Sequence, residues 1–428
     1  MLRSLYWFTN DLRLHDNPNL RRCLQESSDS VFVYCLYDFA RAEPTTKSAP
    51  IGLYRKQFLL EAASELKSKL HGLGYHLHML YAAPQSGISD LIVQHRIQRV
   101  YRSAQVGAYE NQLWTYLQHL HPNVEFVTGV GSTLFDVEQV NPDKCRGSFS
   151  RFRKYHEPLP VKFPVQSVIS EDMADNKDVS VEPQSTTFSG GESAALNHLN
   201  WYFNTHFPSS YKQTRNALDG WTNSSKFSAW LANGNLSPRT LYQAIVDYES
   251  RVEANDSTYW LKFELLWREF FHWHALEIGR SLFRFEGIVG KRPLTSYYPE
   301  RLTRWQKGQT PFALVNAIMH QLVETGYISN RARQIAASAL VNELQVDWRY
   351  GALFFQQHLI DFDIASNWGN WQYIAGVGCD PRGGRHFNLQ KQTQLYDPDQ
   401  QYVLSWQGLP TYALDHTDMV DWPVDEPS

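Results

Sequence analysis

A chain of 428 residues is too long for one ordinary hydrophobic core and implies two large units. Its formal charge of -4 gives no overall attraction to nucleic acid, so DNA binding would need a local basic patch. Four scattered cysteines, Cys23, Cys35, Cys145 and Cys379, form no CxxC pair, which argues against a zinc centre or disulfide framework and predicts the cytoplasm or another reducing intracellular compartment.

The N-terminus, MLRSLYWFTNDLRLHDN, has no signal-peptide apolar stretch, and no apolar run approaches the ~20 residues of a membrane span. A soluble monomer with no membrane contact is expected. Short apolar runs at residues 4–8, 31–37, 76–80, 99–102 and 124–127 alternate with helix-like stretches at 55–70 and 110–120. That alternation predicts a parallel sheet covered on both faces. GVG tripeptides at Gly129 and Gly376 do not complete GxGxxG and no Walker loop is present, so this domain is Rossmann-like in layout only.

From 131 to 196 the periodicity is lost and the composition turns polar, with Pro and Gly, which predicts an interdomain connection. Helical spacing dominates afterwards. Tyr259, Phe263, Leu266, Phe270 and Trp273 recur every three or four positions, as do Phe312, Val315, Ile318, Met319 and Leu322 behind a Thr310–Pro311 start signal. The expected organisation is an α/β domain over 1–130, a connector over 131–196 and an all-α domain over 197–428. His272 and His274 point to different helix faces and His76 and His78 lack a third ligand, so no metal site is expected.

The densest chemistry lies in 326–380, where Arg333, Asp361, Asp363, several amides, Trp348 and Trp371 stand among apolar residues. Buried charge needs a partner, so this constellation points to a flat, polar-edged, redox-capable ligand. An internal Arg333–Asp361 ion pair in a plain helical core is the competing reading. Upstream, Ser224, Ser225 and Ser228 flank Lys226 and Phe227 just before a helical stretch; hydroxyls and a helix N-terminus suit a pyrophosphate, although an ordinary capped helix has the same composition. In ELLWREFFHW, Glu264, Trp267 and Arg268 fit a helical salt bridge with core packing as well as they fit a base-binding surface.

Several stretches, NRARQIAASALV, IDFDIASNWGNWQYIAGVGCDP, RHFNLQKQ, SSKFSAWLANGNLSPR, ELLWREFFHW and WFTNDLRLHDNPNL, resemble the photolyase/cryptochrome family, above all its DASH branch. The resemblance spans nearly the whole chain and implies an α/β antenna domain joined to a helical FAD domain. By the same likeness, Tyr211, Arg215, Ser224, Ser225, Lys226, Phe227 and Ser228 would hold the FAD diphosphate, Arg333 and Asp361 the salt bridge beside the isoalloxazine, and Asp363 its polar edge. Asn367 would face the ring, where an amide can accept a hydrogen bond or rotate away while a carboxylate would add charge. Trp371 and Trp348 match the first two members of an electron-transfer chain. The third is missing, with Tyr297 or Tyr298 as substitutes.

Glu264, Trp267, Asn330, Arg331, Gln334 and Tyr373 fall where related photolyases hold a cyclobutane pyrimidine dimer. Gln334 replaces an apolar Met and Tyr373 a second Trp, which weakens apolar contact and favours single-stranded over duplex DNA. Arg331, Arg382, Arg385, His386 and Lys391 are the candidate basic patch. Glu110 matches one contact of a methenyltetrahydrofolate antenna, with Tyr109 in place of the usual Asn and Thr9 in place of an Arg. The resemblance implies a blue-light-dependent photolyase; a non-repairing photoreceptor that binds DNA or a signalling partner is the alternative.

Overall fold

Successive residues of β1 (Arg3–Phe8) face opposite ways: Tyr6 and Phe8 enter one apolar cluster with Phe32 and Leu66, while Leu5 and Trp7 enter another with Val100 and Ile88. A strand buried on both faces needs helices on both. The computed structural model describes residues 2–36, 51–81, 84–165, 187–380 and 382–411. In it, β1, β2 (Asp29–Cys35), β3 (Leu77–Leu80), β4 (Arg99–Ser103) and β5 (Glu125–Gly129) form an all-parallel sheet in the order β3-β2-β1-β4-β5. These strands match the five apolar runs to within two residues, residue 37 lying outside the described residues.

Helices α1 (Pro18–Glu26), α2 (Leu53–Gly72), α3 (Pro84–Gln94) and α4 (Ala108–Leu120) cover the sheet. The sequence reading found α2 and α4 but not α1 or α3. α1 has the start signals of Asn17, whose side chain accepts from the Leu20 N–H, and Pro18 in its first turn.

The stretch expected as a bare connector does more than connect. It contains α5 (Pro142–Cys145), α6 (Phe149–His156) and the start of α7 (Glu192–Phe203), and Leu134, Phe135, Phe149 and Phe152 are buried in the helical core. Its section 166–186 lies outside the described residues. The chain continues through α8 (Phe207–Thr214), α9 (Ser228–Asn233), α10 (Pro238–Arg251), α11 (Asp256–Ile278), α12 (Pro299–Gln306), α13 (Ala313–Thr325), α14 (Asn330–Ser338), α15 (Trp348–His358), α16 (Ile364–Ala375), α17 (Leu389–Tyr396) and α18 (Gln401–Ser405). The periodic runs at 259–273 and 312–322 fall in α11 and α13. No helix among the described residues is long and apolar enough to cross a membrane.

Candidate functional site

A cavity of about 580 Å³ opens between α8, α9, α11, α14 and α16, within the ~300–1,000 Å³ range of small-molecule sites. Every residue assigned above to cofactor or dimer binding lies on its wall except Asn367. The residues expected to hold a diphosphate form one end. α9 has only six residues, so its dipole adds little; the observation that favours an anion is Lys226, only 6% exposed. No carboxylate pairs with it among the described residues, and its Nζ lies 4.8 Å from the centre of the Tyr327 ring. Nearby, the buried Ser224 hydroxyl has no partner among the described residues.

In the middle of the wall, Arg333 donates from Nε and Nη2 to the Ile328 carbonyl, both at 3.0 Å, and from Nη2 to Asp361 Oδ2 at 2.7 Å. Asp361 Oδ1 is buried without a partner. An orphaned carboxylate oxygen beside a fixed guanidinium fits the polar edge of a flavin ring. Asp363 starts α16, accepting from the Ser366 N–H at 2.7 Å. From there the face of α16 that meets the cavity runs through Ser366, Asn370 and Tyr373. Ser366 and Asn370 escaped the sequence reading, although three- and four-residue steps from Asp363 lead to them.

Asn367 is off this wall, and its Nδ2 donates to the Ala352 carbonyl at 3.0 Å, tying α16 to α15. Trp371 and Trp348, 2% and 0% exposed, stand behind the wall. Trp371 meets Phe355 at 5.1 Å and Trp305 at 6.2 Å, while Trp348 meets Trp368 at 5.7 Å and donates from Nε1 to the Phe285 carbonyl. Tyr297 packs on Tyr350 at 4.7 Å, two residues beyond Trp348.

Glu264 pairs with Arg215, which links a predicted cofactor residue to a predicted dimer residue. Burial pushes the Glu264 carboxyl up and Arg215 opposes this. One face of Trp267 is covered by Phe149 of the supposed connector, stacked at 3.8 Å and 12°; Tyr373 meets it edge-on at 6.1 Å. Asn330 and Gln334 lie one turn apart on α14. Two of the five residues of the expected basic patch face carboxylates: Arg385 pairs with Asp380 at 2.9 Å and donates to the Tyr373 hydroxyl, and His386 meets Glu343 at 2.8 Å. Only Arg331 and Arg385 of the five reach the cavity wall.

A second cavity, about 400 Å³, lies where the strand order reverses between β1 and β4, a common ligand position in such sheets. Thr9, Arg102, Gln105 and Glu110 line one side and Asn233 and Phe362 of the helical part the other. Burial pushes the Glu110 carboxyl up and brings Arg102 down to about 10. Tyr109 is not on this wall; its hydroxyl accepts from Gln85 Nε2 at 2.8 Å.

A parallel-sheet domain joined to helices around a cleft of this chemistry defines a photolyase-type flavoprotein. The family described as DNA photolyase matches residues 4–165, and that described as FAD binding domain of DNA photolyase matches 260–423. The chain is 43% identical to a cryptochrome DASH of Idiomarina loihiensis, over 98% of this chain and 96% of that protein, and 42% identical to one of Vibrio parahaemolyticus, over 98% and 97%. Its structure is similar to that of the Synechocystis cryptochrome, with a TM-score of 0.83 and 36% identity over 96% of this chain and 90% of that one. The chain belongs to the photolyase/cryptochrome family, on its cryptochrome DASH branch, and FAD is its cofactor.

Proposed function

We propose that this protein repairs cyclobutane pyrimidine dimers by light and acts best on single-stranded DNA. The observation that carries the reading is one continuous cavity with an anion-binding end at Ser224–Lys226, an Arg333–Asp361 centre and a mouth of base-binding chemistry at Glu264, Trp267, Asn330, Gln334 and Tyr373. Bound there, FAD supplies the light absorption and the electron that ring splitting requires. The chain's own residues hold the two partners together. Trp267 offers its uncovered face to one pyrimidine, Asn330 and Gln334 offer amides to base edges, and Glu264 offers its carboxyl group to the same edges. Trp371 and Trp348 provide a path for electrons from solvent, with Tyr297 and Tyr350 at its exposed end. Glu110 and its neighbours at the second cavity would hold a methenyltetrahydrofolate antenna, whose near-ultraviolet absorbance should appear on denaturation.

Single-strand preference follows from energetics. Extruding a dimer from duplex costs a few kcal/mol, while each base–aromatic stack returns ~1–3 kcal/mol. Phe149 takes one face of Trp267, and Gln334 and Tyr373 make the rest of the mouth polar, so the return on extrusion is small. Illumination of the reduced holoprotein with dimer-containing oligonucleotides tests this. Thymines restored mainly in single strands are expected; equal repair in duplex removes the preference, and no repair in either leaves the photoreceptor reading.

A further inference from the structure

A third cavity, of about 370 Å³, is lined by Phe312, Glu343, His386, Asn388, Leu389 and Gln390. It stands back to back with the main cavity. Along 385–388 alternate residues face opposite ways: Arg385 and Phe387 line the main cavity, His386 and Asn388 the smaller one. This shared wall is pinned. The Arg385 N–H donates to the Ile374 carbonyl at 3.0 Å, the Phe387 N–H to Ser338 Oγ at 2.9 Å, and Asn342 Nδ2 to the Arg385 carbonyl at 3.0 Å. The linings of the two cavities thus meet along one segment of extended chain.

The lining selects among occupants. Phe312 offers a ring for stacking. His386 is held by Glu343 at 2.8 Å, and Asn388 Oδ1 accepts the Lys391 N–H at 2.8 Å, which leaves its Nδ2 to donate, as does the amide of Gln390. A carboxylate at the edge disfavours a phosphate, whereas a ring with neutral amides suits a heteroaromatic base. We propose that this cavity is a subsite for the nucleobase next to the dimer in a single strand. The inference rests on the dimer-binding reading of the main cavity and adds to it. A neighbouring base in duplex stays paired and stacked, so only a single strand can fill both cavities without further cost.

The test is the affinity of the holoprotein, in the dark, for a thymine cyclobutane dimer as a dinucleotide, and for the same dimer extended by one nucleotide, or by one abasic residue, on either side. On one side the base should tighten binding over the abasic extension by roughly 5- to 100-fold, the gain of one stack. Phe312→Leu, which keeps apolar packing without the flat ring, and Gln390→Ala should reduce that gain while leaving dinucleotide affinity unchanged. Equal affinity for base and abasic extensions on both sides, or a Phe312→Leu loss that is the same for the bare dinucleotide, overturns the subsite alone. Failure of the dinucleotide to bind at all overturns the reading of the main cavity and the subsite with it.

Discussion

Asp361 accepts from Arg333 with one oxygen and keeps the other buried without a partner among the described residues. Removing one member of such a pair leaves an uncompensated buried charge, typically at a cost of roughly 3–5 kcal/mol. Arg333→Leu should therefore lower the unfolding midpoint in denaturant and reduce the flavin-to-protein absorbance ratio of purified protein, and Asp361→Asn should do so less because it removes the charge itself. An unchanged ratio in Arg333→Leu would show that the pair does not serve the cofactor. These two residues were legible in the sequence through the resemblance of the motifs around them, since an arginine and an aspartate within a helical apolar context also fit a plain internal ion pair. Asn367 and Asn370 were not told apart. Both are amides on one helix, and only the packing of α16 against α15 decides that the first faces the Ala352 carbonyl and the second the cavity.

The loop that leads into α9 is held from behind by His198 of α7, whose Nε2 meets the Ser225 carbonyl at 2.9 Å. The imidazole is packed among Trp230, Phe227 and Trp201, and burial brings its pKa down to about 4. A histidine depressed in the folded state takes up its proton in the unfolded chain first. Its contribution is thus complete above the ordinary value of 6.5 and is lost as pH falls from there to about 4. The loss amounts to roughly 3 kcal/mol, read as falling unfolding free energy and flavin release across that window; His198→Gln should flatten both. A second element-scale constraint lies at the α15–α16 crossing, where a Cβ on Gly351 would fall 2.2 Å from the Trp371 ring. Gly351→Ala should cost about 1–3 kcal/mol by overpacking, seen as a lower melting temperature. The periodicity of α11 and α13 was readable because each runs for several turns with an apolar stripe. α6 was not: eight residues inside a polar stretch carry too little pattern, although Phe149 from this helix shapes the mouth of the cavity.

Across the whole molecule, the two parts are joined by polar contacts. Glu192 at the start of α7 accepts from the Leu14 and His15 N–H groups at 3.1 and 2.7 Å, meets His15 Nδ1 at 2.5 Å and pairs with Lys69 of α2 at 2.8 Å. Arg13, fully buried, donates to the Gly234 carbonyl at 3.0 Å, adding a second tie. No sequence pattern announces such a joint, because its members lie far apart in the chain and each is common on a surface. Its position has a functional consequence, since the second cavity is bounded by both parts while the main cavity is bounded by the helical part alone. Loosening the joint should then affect the two cavities unequally. His15 and Lys69 hold the Glu192 carboxyl well below the usual carboxylate range, so its contribution is present above that range and is lost as pH falls through and below it. Glu192→Ala should destabilise the protein by roughly 3–5 kcal/mol at neutral pH, leaving the Leu14 and His15 N–H groups without their acceptor and Lys69 with Glu65 alone. Its stability relative to wild type should converge as the solution is acidified below about pH 4. In the folded variant, flavin absorbance per chain should stay near the wild-type value while any near-ultraviolet chromophore of the second cavity is lost first; parallel loss of both would show that the joint supports the helical part as a whole.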